Sequence, residues 1–186
     1  MSKGDRQRPN ILVTGTPGTG KSLVCQMVTE KVNINYVNVG DVVTQNGFYE
    51  SRDEEMDTLV IDEDKVLDYL EDVQKKEGFL LEYHSSQLFP ERWFDLVVVL
   101  RTDNTVLYDR LLQKGYKENK VTNNLDCEIF QVCLDEAMEN YQHKLVWEVH
   151  NETPEQLEEA VDAIAKYITL WPKSFGLSFD QLKASN

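Results

Sequence analysis

The chain has 186 residues, 41% of them hydrophobic, and a mean hydropathy of −0.47: the length of one domain with enough apolar residues for a packed core, which excludes a disordered polymer. Nineteen Lys and Arg against 33 Asp and Glu leave a net charge of −14, so phosphate backbones are repelled, unspecific nucleic-acid binding is not expected, and basic partners are attracted. Cys25, Cys127 and Cys133 lack CxxC spacing and read as reduced thiols of an intracellular protein, while the missing h-region and the absence of any apolar run near the roughly 20 residues of a bilayer span argue against a signal peptide or membrane.

The first apolar run, Ile11–Thr14, is too short for a helix and reads as a strand. A helix over Lys21–Lys31 follows, with Asn33 separating it from a second strand at 36–39. A helix at 64–76 ends at Gly78, and strands at 79–83 and 96–100 come next. A helix at 104–114 closes at Gly115, and a long one is predicted near 125–142. After a strand at 146–149, Thr153, Pro154 and Gln156 supply an N-cap, a proline at N1 and a capping-box partner for a helix over 154–170. The tail 172–186 has no assignment, although Phe175, Leu177 and Phe179 suit packing on the body or on a partner. This alternation predicts an α/β domain spanning 1–186 around a five-stranded parallel sheet.

Between the first strand and first helix, Gly15-Thr16-Pro17-Gly18-Thr19-Gly20-Lys21-Ser22 satisfies GxxxxGK[ST] at every fixed position, in the strand–loop–helix context that a P-loop requires. Glycines let backbone N–H groups approach phosphate oxygens, and the helix start adds its positive dipole end. Lys21 supplies charge to the β- and γ-phosphates, and Ser22 a hydroxyl ligand for Mg²⁺. Gly15, Pro17, Gly18, Thr19, Gly20, Lys21, Ser22 and Leu23 are therefore the candidate ATP-binding residues. A GTPase reading fails, because Asn119-Lys120-Val121-Thr122 lacks the Asp of a base-reading N-K-x-D and no DxxG lies between the second and third strands. A small-molecule kinase, with a second phosphate-binding surface and a basic lid, fits better.

The P-loop, together with Asn38-Val39-Gly40-Asp41, Tyr83-His84, Phe89-Pro90-Glu91-Arg92-Trp93-Phe94, Leu100-Arg101-Thr102-Asp103 and Cys127-Glu128-Ile129-Phe130-Gln131-Val132, resembles the adenylate kinase isoenzyme 6 family in order from about residue 9 to 171. The resemblance implies a P-loop nucleoside-monophosphate kinase fold, with a monophosphate-binding part at about 38–76 and a short lid at about 114–124. It implies ATP-dependent phosphorylation of AMP and related monophosphates with Mg²⁺, ATP hydrolysis, and small ribosomal subunit maturation with a basic ribosomal protein as partner. It also implies placement in nucleus and cytoplasm, since Lys3, Arg6 and Arg8 are too sparse for a nuclear signal. A monomer is expected.

Residue by residue, the resemblance makes Lys21, Glu82, His84 and Arg110 the catalytic candidates. Glu82 stands where the family usually has Asp, and as a Mg²⁺ ligand with Ser22 it would act directly or through water. His84 would position water or relay a proton in ATP hydrolysis. Lys114, where the family has Arg, would join Arg110 at the ATP phosphates, with Lys117 and Lys120 nearby in the lid. Gly40, Asp41 and Thr44 are the monophosphate candidates, with Arg92 and Arg101 the weaker ones. Thr44 replaces an Arg that grips the monophosphate, and Arg52 is the candidate to compensate. Residues 50–72 carry eleven acids and two bases. Such a run is either a solvated surface or a dock for the basic partner. Three functions stay open: a monophosphate kinase, an ATPase switch, and a binding module in which nucleotide only organises the fold.

Overall fold

In a strand, neighbouring side chains point to opposite faces, so an unbroken apolar run must be covered on both. The computed structural model describes residues 6–76 and 78–183. In chain order the elements are β1 (Ile11–Thr14), α1 (Lys21–Lys31), β2 (Asn35–Asn38), α2 (Val39–Asn46), β3 (Tyr49–Asp53), β4 (Thr58–Ile61), α3 (Glu63–Gln74) and β5 (Phe79–Glu82), then β6 (Leu96–Arg101), α4 (Asn104–Gln113), α5 (Glu118–Ile129), α6 (Val132–Asn140), β7 (Val146–His150), α7 (Pro154–Thr169) and α8 (Phe179–Lys183). Five strands form a parallel sheet in the order β2-β5-β1-β6-β7. Ile11 and Val13 of β1 join a core with Val24 and Val28 of α1 and Ile164 and Tyr167 of α7. Leu12, between them, joins the opposite core with Val66 and Leu70 of α3 and Leu134 of α6. With β1 central, its carboxyl end and those of β5 and β6 open on one edge, where parallel α/β sheets bind ligands.

Two expectations are corrected. The strand expected at 36–39 ends at Asn38, and Val39 starts a helix whose N-cap is Asn38, its side chain accepting from the Asp41 amide at 3.1 Å. The helix expected near 125–142 is two helices: α5 starts earlier, inside the expected lid, and the chain breaks at Gln131, which takes φ +57°. Within the acidic segment, β3 and β4 pair as an antiparallel hairpin that no sequence signal announced, with Asp57 at φ +47° in its turn. The tail packs on the body: Leu182 is buried, Phe179 lies 5.8 Å from Trp147 between ring centroids, and Trp147 Nε1 donates to the Leu177 carbonyl at 3.0 Å.

The capping box of α7 is present as expected, with both Thr153 and Gln156 side chains engaged. Arg6, considered with Lys3 and Arg8 as a targeting residue, is buried and pairs with Asp95 at 2.7 Å; Lys3 and residues 184–186 lie outside the described residues. No helix among the described residues is long and apolar enough to cross a membrane.

Candidate active site

The phosphate loop connects β1 to α1. Gly20, the N-cap of α1, is in left-handed backbone and gives no side-chain cap, and no acid stands in the first turn, so the helix start is set for an anion. The glycines serve packing as much as phosphate approach. A Cβ on Gly15 would stand 2.5 Å from the Leu100 carbonyl, and one on Gly20 2.4 Å from Asn151 Nδ2. Asn151, after β7, holds the loop by donating from Nδ2 to the Thr19 carbonyl at 2.7 Å. Lys21 folds back to donate from Nζ to the carbonyls of Gly15 at 2.7 Å and Thr16 at 3.1 Å. Burial lowers its pKa to about 8, against the opposing pull of Glu82.

Glu82, the last residue of β5, is buried and held from three sides. Ser22 Oγ donates to Oε1 at 2.7 Å, Asn38 Nδ2 to Oε2 at 3.0 Å, and the Tyr36 hydroxyl to Oε2 as well. The strand register explains the last two, since Asn38 of β2 lies opposite Glu82. Burial and the bond to Glu82 push the Tyr36 hydroxyl well above its ordinary pKa, so it remains a donor. The Ser22 hydroxyl and Glu82 carboxylate form the hard-oxygen pair that suits Mg²⁺, which takes few protein ligands and completes its shell with water and phosphate. Among the described residues no group of three or more His, Cys, Asp or Glu is placed to hold a metal.

One cleft of about 930 Å³ collects most of the candidates: Pro17, Gly18, Gly20, Lys21, Ser22 and Leu23 from the loop and α1, Gly40 beyond β2, Glu82 and His84 after β5, and Arg110 and Lys114 from α4. The His84 ring meets that of Tyr83 at a tilt of 47°, with 4.3 Å between ring centroids. The residue is exposed and lines the cleft, yet desolvation by its surroundings, and secondarily the Lys21 charge, lower its pKa to about 4. The imidazole is therefore neutral near pH 7. Arg110 donates from Nη1 to the Asn151 carbonyl at 2.8 Å and from Nη2 to the Glu152 carbonyl at 3.3 Å.

Other candidates fall elsewhere. Gly15 and Thr19 are buried within the loop and do not line the cleft; Thr19 Oγ1 donates to the Thr16 carbonyl at 2.8 Å. Asp41 and Thr44 do not line the cleft. Thr44 turns its hydroxyl to the Gly40 carbonyl at 2.9 Å. Arg52 is paired with Asp57 in the hairpin and does not line the cleft. Arg92 sits before β6, at the amino end of a sheet whose carboxyl end carries the loop, with its carbonyl accepting from Arg6 at 2.6 Å. Arg101 is bound to Glu128 and Glu148. Lys117 and Lys120 reach the hairpin turn, donating to the carbonyls of Glu54 at 3.2 Å and Asp57 at 2.7 Å. Conversely, Gln26, Asn38, Asn151, Glu152, Thr153, Pro154 and Leu157 line the cleft unforeseen. Asn38 lay within a quoted motif; the segment after β7 carried only helix-capping signals.

The family model described as AAA domain matches residues 11–131. The protein called adenylate kinase isoenzyme 6 homolog in Dictyostelium discoideum is 43% identical over 166 residues, covering 89% of this chain and 95% of its own. The homolog of the same name in Caenorhabditis elegans is 47% identical over 163 residues, covering 87% and 90%. Among solved structures, a shikimate kinase from Bacteroides thetaiotaomicron superposes with a TM-score of 0.56 at 16% identity, covering 87% of this chain and 99% of that one, a likeness of fold alone.

Proposed function

We propose that this chain, which belongs to the adenylate kinase isoenzyme 6 family, transfers the γ-phosphoryl group of ATP to AMP or a related nucleoside monophosphate. The observation that carries the reading is the convergence of Lys21, the Ser22–Glu82 pair and Arg110 on one cleft that also reaches Gly40. Little covalent chemistry falls to side chains in such a reaction; positioning and charge neutralisation supply the rate. The α1 start and loop amides hold the triphosphate, and Lys21, its ammonium held by the Gly15 and Thr16 carbonyls, keeps a third N–H for the β- and γ-oxygens. Ser22 and Glu82 would hold Mg²⁺, which when bound neutralises the phosphate oxygens. Tyr36 and Asn38 keep the Glu82 carboxylate aimed, which offsets the extra methylene it has over Asp. Arg110 and Lys114 add positive charge on the other side. Gly40 and the start of α2 line the acceptor side, and 38–76 and 114–124 act as the moving parts of one domain.

ATP hydrolysis at the same site is the second reading. A neutral His84 open to the cleft can take a hydrogen bond from the attacking water, so the same phosphates meet water when no monophosphate is present. The acidic hairpin supports a basic small-subunit ribosomal protein as partner, because the lid takes the turn's carbonyls while Glu54 and Glu55 stay exposed. We extend the proposal to ribosome maturation, a monomeric state, and placement in nucleus and cytoplasm. Product analysis from MgATP, alone and with a panel of monophosphates, tests the two activities. Diphosphate formed from labelled AMP supports the kinase, ADP and phosphate from ATP alone support the ATPase, and intact ATP in every mixture refutes both.

A further inference from the structure

Glu128 is a buried carboxylate that the reaction above does not use. It is 3% exposed, on the last turn of α5. Oε1 accepts from Arg101 Nε at 2.7 Å and from the Thr102 amide at 3.1 Å, and Oε2 accepts from Thr16 Oγ1 at 2.5 Å. Arg101 is held further by Glu148 at 2.9 Å. Burying an ion pair is weak evidence for stability, because well-packed apolar residues commonly do as well. Such a group is better explained by what it keeps in place.

Here that is the first turn of the phosphate loop. The carbonyls of Gly15 and Thr16 are the two that hold Lys21 Nζ. Gly15 packs directly on the Leu100 carbonyl, one residue before Arg101, and Thr16 is tied to the same strand end through Glu128. The turn is thus clamped between β6 and α5, and Lys21 hangs from the clamped carbonyls.

We infer that Glu128 is a positioning residue for phosphoryl transfer: through the Thr16 hydroxyl it fixes the loop turn that sets where the Lys21 ammonium meets the transferring phosphoryl. The inference rests on the phosphoryl-transfer reading of the cleft. Its effect belongs in turnover, because a displacement of about 1 Å at a reacting group costs up to about 100-fold in rate, whereas the loop amides and helix start continue to hold the nucleotide. It also gives α5, which begins in the lid, a direct hold on the catalytic loop.

The test compares wild type with Thr16→Val, Thr16→Ser and Glu128→Gln, measuring kcat, the Kd of a non-hydrolysable ATP analogue, and Tm. Thr16→Val removes the hydroxyl at nearly constant volume. Glu128→Gln keeps an acceptor for Arg101 and forces the Thr16 hydroxyl to accept instead of donate. Both are expected to lower kcat about 10- to 100-fold while Kd changes less than about 3-fold, and Thr16→Ser to return kcat to within about 3-fold of wild type. Unchanged kcat in Thr16→Val, or kcat, Kd and Tm worsening together without rescue by Thr16→Ser, overturns the inference. If Glu128→Gln does not fold, the two Thr16 variants decide alone. A wild type that binds the analogue but turns over neither monophosphate nor water overturns the reaction reading, and this inference with it.

Discussion

A lysine held near 8 in the folded chain and at its usual 10.5 when unfolded binds fewer protons folded than unfolded between those values. Stability of the empty protein therefore rises with pH across that window and is lowest, for this group, below it. Phosphate oxygens entering the cleft favour the ammonium and raise its pKa, so ATP binding at about pH 8 should take up about half a proton, and none at about pH 6.5. Calorimetry in buffers of different ionisation enthalpy reads this directly, and zero uptake at the higher pH contradicts the placement of Lys21 at the phosphates. At Thr44 the structure sharpens the expectation, because Arg52, the candidate to compensate, pairs with Asp57 and does not line the cleft. Thr44→Arg should lower the KM for AMP by about 10-fold, the scale of one charge-assisted hydrogen bond; an unchanged or raised KM means that AMP lies elsewhere. The residues legible in the sequence were those whose chemistry demands contiguity, from Gly15 to Ser22. Tyr36, Asn38 and Asn151 were not assigned roles, because their partners, Glu82 and the Thr19 carbonyl, are set by strand register and tertiary packing.

Among the elements, the sheet strands were readable from short apolar runs and most helices from their length, caps and terminal glycines. The β3–β4 hairpin was not, because its residues are largely exposed and carry no apolar alternation. The break between α5 and α6 had no Gly or Pro to announce it, since Gln131 takes the left-handed backbone itself. The tail was left open between body and partner, and α8 resolves it toward the body. Leu182 is 3% exposed within the core that includes Trp147 and Tyr167. Leu182→Ala should destabilise the fold by about 2 kcal/mol, the low end for a buried leucine in a short terminal helix. That corresponds to a fall of about 4–8 °C in Tm for a chain of this size. A change below about 1 °C would show that α8 does not share the stability of the core.

At the scale of the molecule, Lys21, Arg110 and Lys114 line the cleft, whereas the acidic hairpin contributes no residue to it and is held at its turn by Lys117, Asn119 and Lys120. Not all acids in that hairpin are free to serve a partner. Asp53 Oδ1 accepts from the amides of Glu55 and Met56, both at 2.9 Å, and Asp57 pairs with Arg52, so these two hold the turn. Glu54→Gln with Glu55→Gln should therefore slow association with a basic ribosomal protein by several-fold (about 3- to 10-fold) and flatten its salt dependence, since exposed charges act chiefly on the on-rate. Association kinetics unaltered from low to moderate salt would move the docking site elsewhere. The central claim, that this cleft moves a phosphoryl group from ATP to a monophosphate, is tested most directly by incubating the protein with MgATP labelled in the γ-phosphate and unlabelled AMP. Label should appear in the β-phosphate of ADP with wild type, and transfer should fall by at least about 100-fold in folded Lys21→Ala. Label that reaches only inorganic phosphate, or transfer that survives in Lys21→Ala, contradicts the account.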